Sequence, residues 1–314
     1  MNEVDVHVGD AGAAVDVLQV IAASFGARPP LDPPAEALSE TLESISGELA
    51  RDGGLLAILD GRPVGALLFA PCGSALGLRR VGVVPDAQHC GVAGALVHAA
   101  EEHAVACGHD GLRVIARIEL PTSIAFWQHQ GFAPSPRDGV NLPLSKVFPR
   151  RFTLRTAEET TAFGERLATL LGRGDLLILT GELGAGKTTF TRGLGAGLEV
   201  RGDITSPTFV IARVHPPLAH GPSLVHVDAY RLGSMIELDD LDLDTSLEDA
   251  VTVVEWGEGM AEDLSEDRLE IRIIRASGVD VTGDAGSLED HDAREVVVHP
   301  VGSRWLGVTW PPLR

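Results

Sequence analysis

The chain has 314 residues, 44% of them hydrophobic, with 25 basic and 45 acidic residues giving a formal charge of −20. Residues 1–150 carry −7 and residues 151–314 carry −13, so neither half offers the clustered Lys and Arg that strong direct binding to nucleic acid or an anionic membrane requires. The length exceeds most single cores and predicts two domains, and three cysteines (Cys72, Cys90, Cys107) without CxxC spacing predict neither a disulfide framework nor a zinc site.

In the first half, strands are predicted at 4–8, 55–59, 64–69, 78–84 and 112–118, with helices at about 11–24, 34–51, 92–107 and 122–130. Asp60-Gly61-Arg62 reads as a hairpin turn and residues 27–34, rich in proline, as a loop. Residues 143–152 hold Pro143, Pro149 and a basic cluster, which predicts a linker between domains 1–148 and 151–314. Acids at Glu3 and Asp5 do not suit a signal peptide, and no apolar run reaches membrane-spanning length, so a cytoplasmic protein in a reducing compartment is expected.

The second half opens with a strand at 152–155 and a helix capped by Thr156 and Glu159, running to Gly172 or Gly174. Strands follow at 175–180, 224–228, 251–255, 269–274 and 295–299, with a helix at 189–198, which predicts an α/β domain built on a mostly parallel sheet. Residues 277–294, acidic and turn-rich, read as a hairpin insertion without a catalytic role.

Residues Gly181-Glu182-Leu183-Gly184-Ala185-Gly186-Lys187-Thr188 form a G-x-x-x-x-G-K-T phosphate loop between a predicted strand and a predicted helix. In this setting backbone N–H groups converge on phosphates at a helix N-terminus, where the aligned peptide dipoles favour negative charge. Lys187 is placed to reach the β- and γ-phosphates and the Thr188 hydroxyl to ligate Mg²⁺. The chain has two lysines, Lys146 and Lys187, and one of them stands here. Asp228 and Glu255 end apolar strands and are expected at one sheet edge, Asp228 as a magnesium-holding acid. Ser206-Pro-Thr-Phe209 suits a segment ordered by a γ-phosphate, while His226 reads as a packed strand histidine.

The blocks GELGAGKTT, SPTF, HVDAYR and VEW, in this order, resemble the TsaE (YjeE) family, the small ATPase of threonylcarbamoyladenosine (t6A) biosynthesis on tRNA. The resemblance spans nearly all of residues 151–314. It implies that Gly181 to Thr189 bind ATP phosphates and Mg²⁺, and that Thr208 is a switch threonine. It further implies that Asp228 and Glu255 serve magnesium and the hydrolytic water, that Trp256 lies beside the nucleotide, and that Tyr230 and Arg231 belong to the same strand end. The implied partners are the t6A ligase subunit and its inactive paralogue, TsaD- and TsaB-like proteins, with tRNA reached only through that complex. Hydrolysis would drive or reset the complex rather than make the modification.

Two rival readings are decided by sequence. A GTPase would carry an N-K-x-D or T-K-x-D motif, and Lys146 stands on the wrong side of the loop for one. Asp240-Leu-Asp-Leu-Asp244 imitates a calcium loop but continues with Thr245 and Val251 where glycine and glutamate are required, so it reads as acidic surface. A phosphotransferase that passes the γ-phosphate to a small molecule, beside an inactive CoA-binding or structural first domain, stays open as the alternative.

In the first half, a strand runs through Val81-Gly-Val-Val into a glycine-containing turn and a helix. Its spacing Gln88-x-x-Gly91-x-Ala93-Gly94, with Gly131-Phe132 after a later helix, resembles the acyl-CoA loop of GNAT acetyltransferases. That resemblance implies a mixed-sheet α/β fold, with Gln88, Gly91, Ala93 and Gly94 at acetyl-CoA and an amine as acetyl acceptor. Trp127 stands where the family often has a proton-donating tyrosine, and Leu120-Pro121-Thr122 replaces an asparagine that often contacts CoA. Glu119, His89 and His129 are the alternatives for acid or base, each more readily a surface residue.

Overall fold

The computed structural model describes residues 4–232, 248–275 and 293–310. It divides into two compact units, Met1–Val147 and Phe148–Arg314. The Asp240–Asp244 acidic run lies outside the described residues, as does nearly all of the 277–294 segment.

The first unit contains β1 (Asp5–Gly9), α1 (Ala14–Gly26), α2 (Leu42–Arg51), β2 (Gly54–Leu59), β3 (Arg62–Cys72) and β4 (Ala75–Val83). These are followed by α3 (Val92–Ala106), β5 (Gly111–Arg117), α4 (Pro121–His129), β6 (Ala133–Pro134) and β7 (Asn141–Val147). The described strands make one sheet in the order β1-β2-β3-β4-β5-β7-β6. Asp60 (φ 54) and Gly61 (φ 75) are both left-handed, which sets the tight turn between β2 and β3. The helix expected over 34–51 is broken: Glu36–Ser39 is a 3₁₀ turn, and Thr41, extended at φ −119, starts α2 through a reciprocal cap with Ser44.

One irregularity shapes the unit. Among the described strands of this unit the one parallel pair, β4 with β5, is in register for Ala75–Leu78 against Gly111–Val114 and then stops. On its other side β4 shifts register against β3 between Ala66 and Leu68, with Arg80 left-handed at φ 53, a bulge that bends the strand. Beyond Leu78 the two strands part, and a cleft of about 1260 Å³ lies between them.

The second unit contains β8 (Arg150–Leu154), α5 (Ala157–Ala168), β9 (Leu176–Thr180), α6 (Lys187–Gly197), β10 (Ala212–His215), β11 (Ser223–Asp228), β12 (Ala250–Glu255), β13 (Arg268–Arg275) and β14 (Arg294–Val301). Its described sheet runs β10-β11-β12-β9-β13-β14-β8. The central strands β11, β12, β9 and β13 are parallel, and antiparallel strands extend both sides. Of these, β9, β11 and β12 are buried, largely apolar runs, as strands covered on both faces demand, whereas β13 alternates buried and exposed residues.

The predicted linker at 143–152 is a different object. Residues 141–147 form β7 and residues 150–154 form β8, leaving Phe148 and Pro149 between them. Pro143 is tolerated in a strand because its carbonyl alone is used there, accepting from Ser135 N at 2.9 Å. Likewise α5 stops at Ala168 rather than Gly172, its chain tightening into 3₁₀ bonds from Leu170 N to Leu167 O and from Leu171 N to Ala168 O. The N-terminal cap of α5 is as expected from sequence, with Thr156 Oγ1 accepting from Glu159 N at 3.2 Å.

Helices α5 and α6 approach closely. A Cβ built on Gly193 would sit 2.0 Å from the Thr161 carbonyl oxygen, so only glycine lets the backbones meet. That contact fixes α6, and with it the loop that precedes it.

Candidate functional sites

In the second unit, β9 ends at Thr180 and α6 begins at Lys187, with the phosphate-loop residues between them. Gly181 has φ 142 and an added Cβ would lie 2.2 Å from the Ile273 carbonyl oxygen, so the loop must leave β9 through glycine. Gly184 and Gly186 are also left-handed, and Gly186 caps α6. Ala185 is buried, its N–H donating to Glu182 O at 3.1 Å and its carbonyl accepting from Arg294 Nε at 3.0 Å. Leu183 projects outward at 87% exposure. Thr188 and Thr189 stand in the first turn of α6, at the positive end of its dipole.

Lys187 is folded over this loop. Its Nζ donates to Gly181 O at 2.8 Å and to Glu182 O at 3.1 Å, and lies 3.7 Å from the centroid of the Trp256 ring. Burial pushes the ammonium below the ordinary lysine pKa, and the Glu255 and Asp228 charges partly restore it. The nearest oxygen partners are carbonyls, weaker than a phosphate for an ammonium.

The carboxylates come from adjacent parallel strands. Asp228 and Glu255 are register partners at the ends of β11 and β12, and Glu255 pairs with Leu179 of β9, so all three strands deliver their C-terminal ends to one edge. Glu255 Oε2 accepts from Thr188 Oγ1 at 3.2 Å, and its Oε1 lies 2.9 Å from His226 Nε2. Because a carboxylate only accepts, His226 carries its proton on Nε2. Asp228 Oδ2 accepts from Ser206 Oγ at 2.9 Å and from Thr208 Oγ1 at 2.5 Å, and Oδ1 accepts from Tyr230 N at 3.1 Å. Trp256 is left-handed at φ 64, and its ring lies 5.2 Å from Tyr230. Arg231 sits 4.8 Å from the ring centroid of Phe209, which is 86% exposed.

The structure therefore brings Lys187, Thr188, Asp228, Glu255, Thr208 and Trp256 to one place. Sequence reasoning missed two contributors, His226 and Arg294, and left the contact of Ser206 unassigned. His226 lies two residues before Asp228, hence on the same strand face, and that parity was the available signal. Ser206 joins Thr208 on one carboxylate oxygen, and Arg294 braces the loop from β14, with no sequence signal for its partner.

Among the described residues, no three His, Cys, Asp or Glu side chains form a metal cluster. The arrangement of one hydroxyl and two carboxylates, all oxygen donors beside a phosphate loop, nevertheless fits Mg²⁺, which is usually held by one or two carboxylates together with substrate phosphates.

The family model described as threonylcarbamoyl adenosine biosynthesis protein TsaE matches residues 154–280. A Streptomyces coelicolor protein named tRNA threonylcarbamoyladenosine biosynthesis protein TsaE is 62% identical over 143 residues, covering 45% of this chain and 90% of the relative. The chain belongs to the TsaE family. A TsaE of Bacillus subtilis is 38% identical over 149 residues, 47% of this chain and 84% of the relative. Among solved structures, YdiB of Bacillus subtilis is 34% identical, covering 50% of this chain and 89% of its own, with a TM-score of 0.38.

The first unit is matched over residues 20–132 by the family model for GNAT acetyltransferases, so the chain joins a GNAT domain to a TsaE domain. A paiA N-acetyltransferase from Thermoplasma acidophilum, solved with coenzyme A, is 16% identical, covering 46% of this chain and 99% of its own, with a TM-score of 0.42. Gln88, Gly91, Ala93 and Gly94 all line the cleft between β4 and β5. Gly91, at φ 83, caps α3, and Gln88 Nε2 lies 3.5 Å from Val83 O. Trp127 is buried and packs edge-on against Phe126 and Phe132. His89 and His129 also line the cleft, whereas Glu119 is tied to Arg117 at 2.7 Å. Among the described residues no helix is long and apolar enough to cross a membrane.

Proposed function

We propose that the second unit is the Mg-ATP-hydrolysing component of t6A biosynthesis, acting in the cytoplasm on a complex of TsaD- and TsaB-like partners that holds the tRNA. The observation that carries this reading is the convergence of Lys187, Thr188, Asp228 and Glu255 on one phosphate loop. Lys187 exchanges its two carbonyl partners for phosphate oxygens, a charge-assisted bond stronger than those it gives up. The loop and first-turn N–H groups of α6 take the remaining phosphate charge. Thr188, Asp228 and Glu255 would hold Mg²⁺, which neutralises phosphate charge when bound. Glu255, oriented by His226, positions the attacking water and accepts its proton.

Asp228 also couples the site to its surface. Ser206 and Thr208 both donate to Oδ2, so a ligand that competes for that oxygen releases two hydroxyls of the 206–209 segment. The exposed Phe209 is carried on that segment, which gives partners a surface that reports nucleotide state. Single-turnover ATP hydrolysis with and without the TsaD- and TsaB-like proteins tests this reading: it expects turnover that rises with the complex and vanishes in Lys187→Ala.

For the first unit, the GNAT match and the cleft beside the Gln88–Gly94 turn support acetyl transfer from acetyl-CoA to an amine. Titration of the full chain with acetyl-CoA tests it, with saturable binding lost when Gly91 is replaced by a bulky residue.

A further inference from the structure

Beyond Leu78 of β4 and Val114 of β5 the two strands no longer pair, and the segment that follows α1 is tied to both sides of the opening. Arg28 donates from Nη2 to Val81 O on β4 at 3.0 Å. Arg117, at the end of β5, donates from Nη1 to Pro33 O at 2.9 Å and from Nη2 to Asp32 O at 2.9 Å. Residues 27–35 thus form a strap from one strand to the other, and Pro29, Leu31, Pro33 and Pro34 line the cleft beneath it.

Arg117 holds the middle of this strap. Pro29, Pro30, Pro33 and Pro34 lack a backbone N–H, and among the described residues the hydrogen bonds made to 29–34 are the two from Arg117. The same guanidinium is fixed from behind by Glu119, at 3.1 Å from Nε to Oε2 and at 2.7 Å from Nη2 to Oε1. These bonds hold the Glu119 carboxyl below its usual range, which suits a fixed partner rather than a proton-accepting base.

The strap and the turn suited to CoA phosphates belong to opposite faces of the sheet. A Cβ added to Gly82 would collide with Ser24 of α1, and one added to Gly65 would collide with Val92 of α3. Gly82 pairs with Ala66, the neighbour of Gly65, so α1 covers one face and α3 the other. The strap leaves α1, the Gln88–Gly94 turn enters α3, and both line the cleft, which therefore runs through the sheet. With CoA phosphates at the turn, an acceptor amine comes to the thioester from the α1 face.

We propose that Arg117 is a positioning residue for acetyl transfer, holding residues 29–34 as a wall of the acceptor's mouth of the cleft. The inference rests on the acetyl-transfer reading above. In that reaction the amine nitrogen attacks the thioester carbonyl, the C–N bond forms as the C–S bond breaks, and the proton lost by the amine ends on the CoA sulfur. Arg117 takes no part in this exchange, because its donors are committed to Glu119, Asp32 and Pro33. It acts through the strap.

Steady-state acetylation by the full chain, with acetyl-CoA as donor and spermidine, tyramine and an alanyl tripeptide as probe amines, tests the proposal. For the amine that the unaltered chain acetylates best, Arg117→Ala is expected to raise KM about tenfold, while kcat and KM for acetyl-CoA stay within about twofold. Arg117→Lys, which still donates to a carbonyl, recovers part of the loss. Leu31→Gly, which loosens the strap itself, raises the amine KM alone but costs nothing further in the Arg117→Ala background. A fall in kcat at unchanged amine KM, a defect in KM for acetyl-CoA, or additive losses in the double variant overturns the proposal. Acetyl-CoA binding without acetylation of any probe also overturns it and leaves the donor site standing, whereas no acetyl-CoA binding by the unaltered chain removes the acetyl-transfer reading as well.

Discussion

Thr188 donates a hydrogen bond to Glu255 at 3.2 Å, tying the first turn of α6 to the end of β12. The hydroxyl and the carboxylate come from residues 67 positions apart, and the parallel register of β12 with β9 is what makes them neighbours. A phosphate-loop threonine and a strand-end acid that already touch need little rearrangement to share one cation, which is the preorganisation an ATPase site requires.

Lys187→Ala removes a charge-assisted phosphate contact worth about 1.5–3 kcal/mol, so ATP affinity is expected to fall about ten- to a hundredfold. Nucleotide titration measures it; unchanged affinity would remove Lys187 from the site. A second variant at this position, Lys187→Met, tests the burial of its charge. Since the folded lysine has a lowered pKa, the unfolded chain holds the proton more tightly, and the lysine's penalty fades as pH rises toward its ordinary value. Lys187→Met is therefore expected to stabilise the nucleotide-free protein at neutral pH, by a margin that narrows in alkali.

His226 is fully buried and contacts Glu255 at 2.9 Å, while its Nδ1 finds no partner among the described residues. On the function proposed above it orients the Glu255 carboxylate, so His226→Ala is expected to lower ATP turnover about ten- to a hundredfold with smaller loss of nucleotide affinity. His226→Gln, which keeps a donor, should recover part of the rate. Equal loss in both variants would point to packing alone.

Gly193→Ala places a methyl group 2.0 Å from the Thr161 carbonyl oxygen, where backbone has to move. A loss of about 1–3 kcal/mol in denaturant unfolding is expected, with nucleotide affinity falling too because α6 carries the loop. A neutral result would show that the two helices do not pack at this distance.

His215 and His299 both have lowered pKa values, each chiefly through burial. For His215 the Arg201 carbonyl bond opposes that effect, and for His299 the Glu270 charge does. The fold prefers neutral imidazole, so as pH falls below about 6.5 the unfolded chain takes up protons first and stability declines. The thermal midpoint should fall between about pH 7 and pH 5.5, and His215→Gln with His299→Gln should flatten that decline. A steeper decline in the double variant would contradict this assignment.

The phosphate loop was legible because its chemistry is local: three glycines, one lysine and one threonine at fixed spacing between a strand and a helix. Asp228 and Glu255 were legible because apolar runs of about six residues ending in an acid read as buried strands with their C-terminal ends at a ligand. His226 read as packing because its parity with Asp228 places it on that strand face but gives no sign of its actual partner, Glu255, 29 positions away. The linker expected at 143–152 holds the division between the units but shrinks to Phe148 and Pro149, because Pro143 looks like a strand breaker and its tolerance depends on a neighbour, Ser135, that only the sheet supplies.

On the function proposed above, this phosphate loop powers t6A formation. The most direct measurement is mass spectrometry of tRNA nucleosides from cells whose chromosomal copy carries Lys187→Ala, with no other TsaE-family gene present. The t6A level is expected to fall sharply and to return when the unaltered chain is supplied; t6A at its normal level would rule this function out.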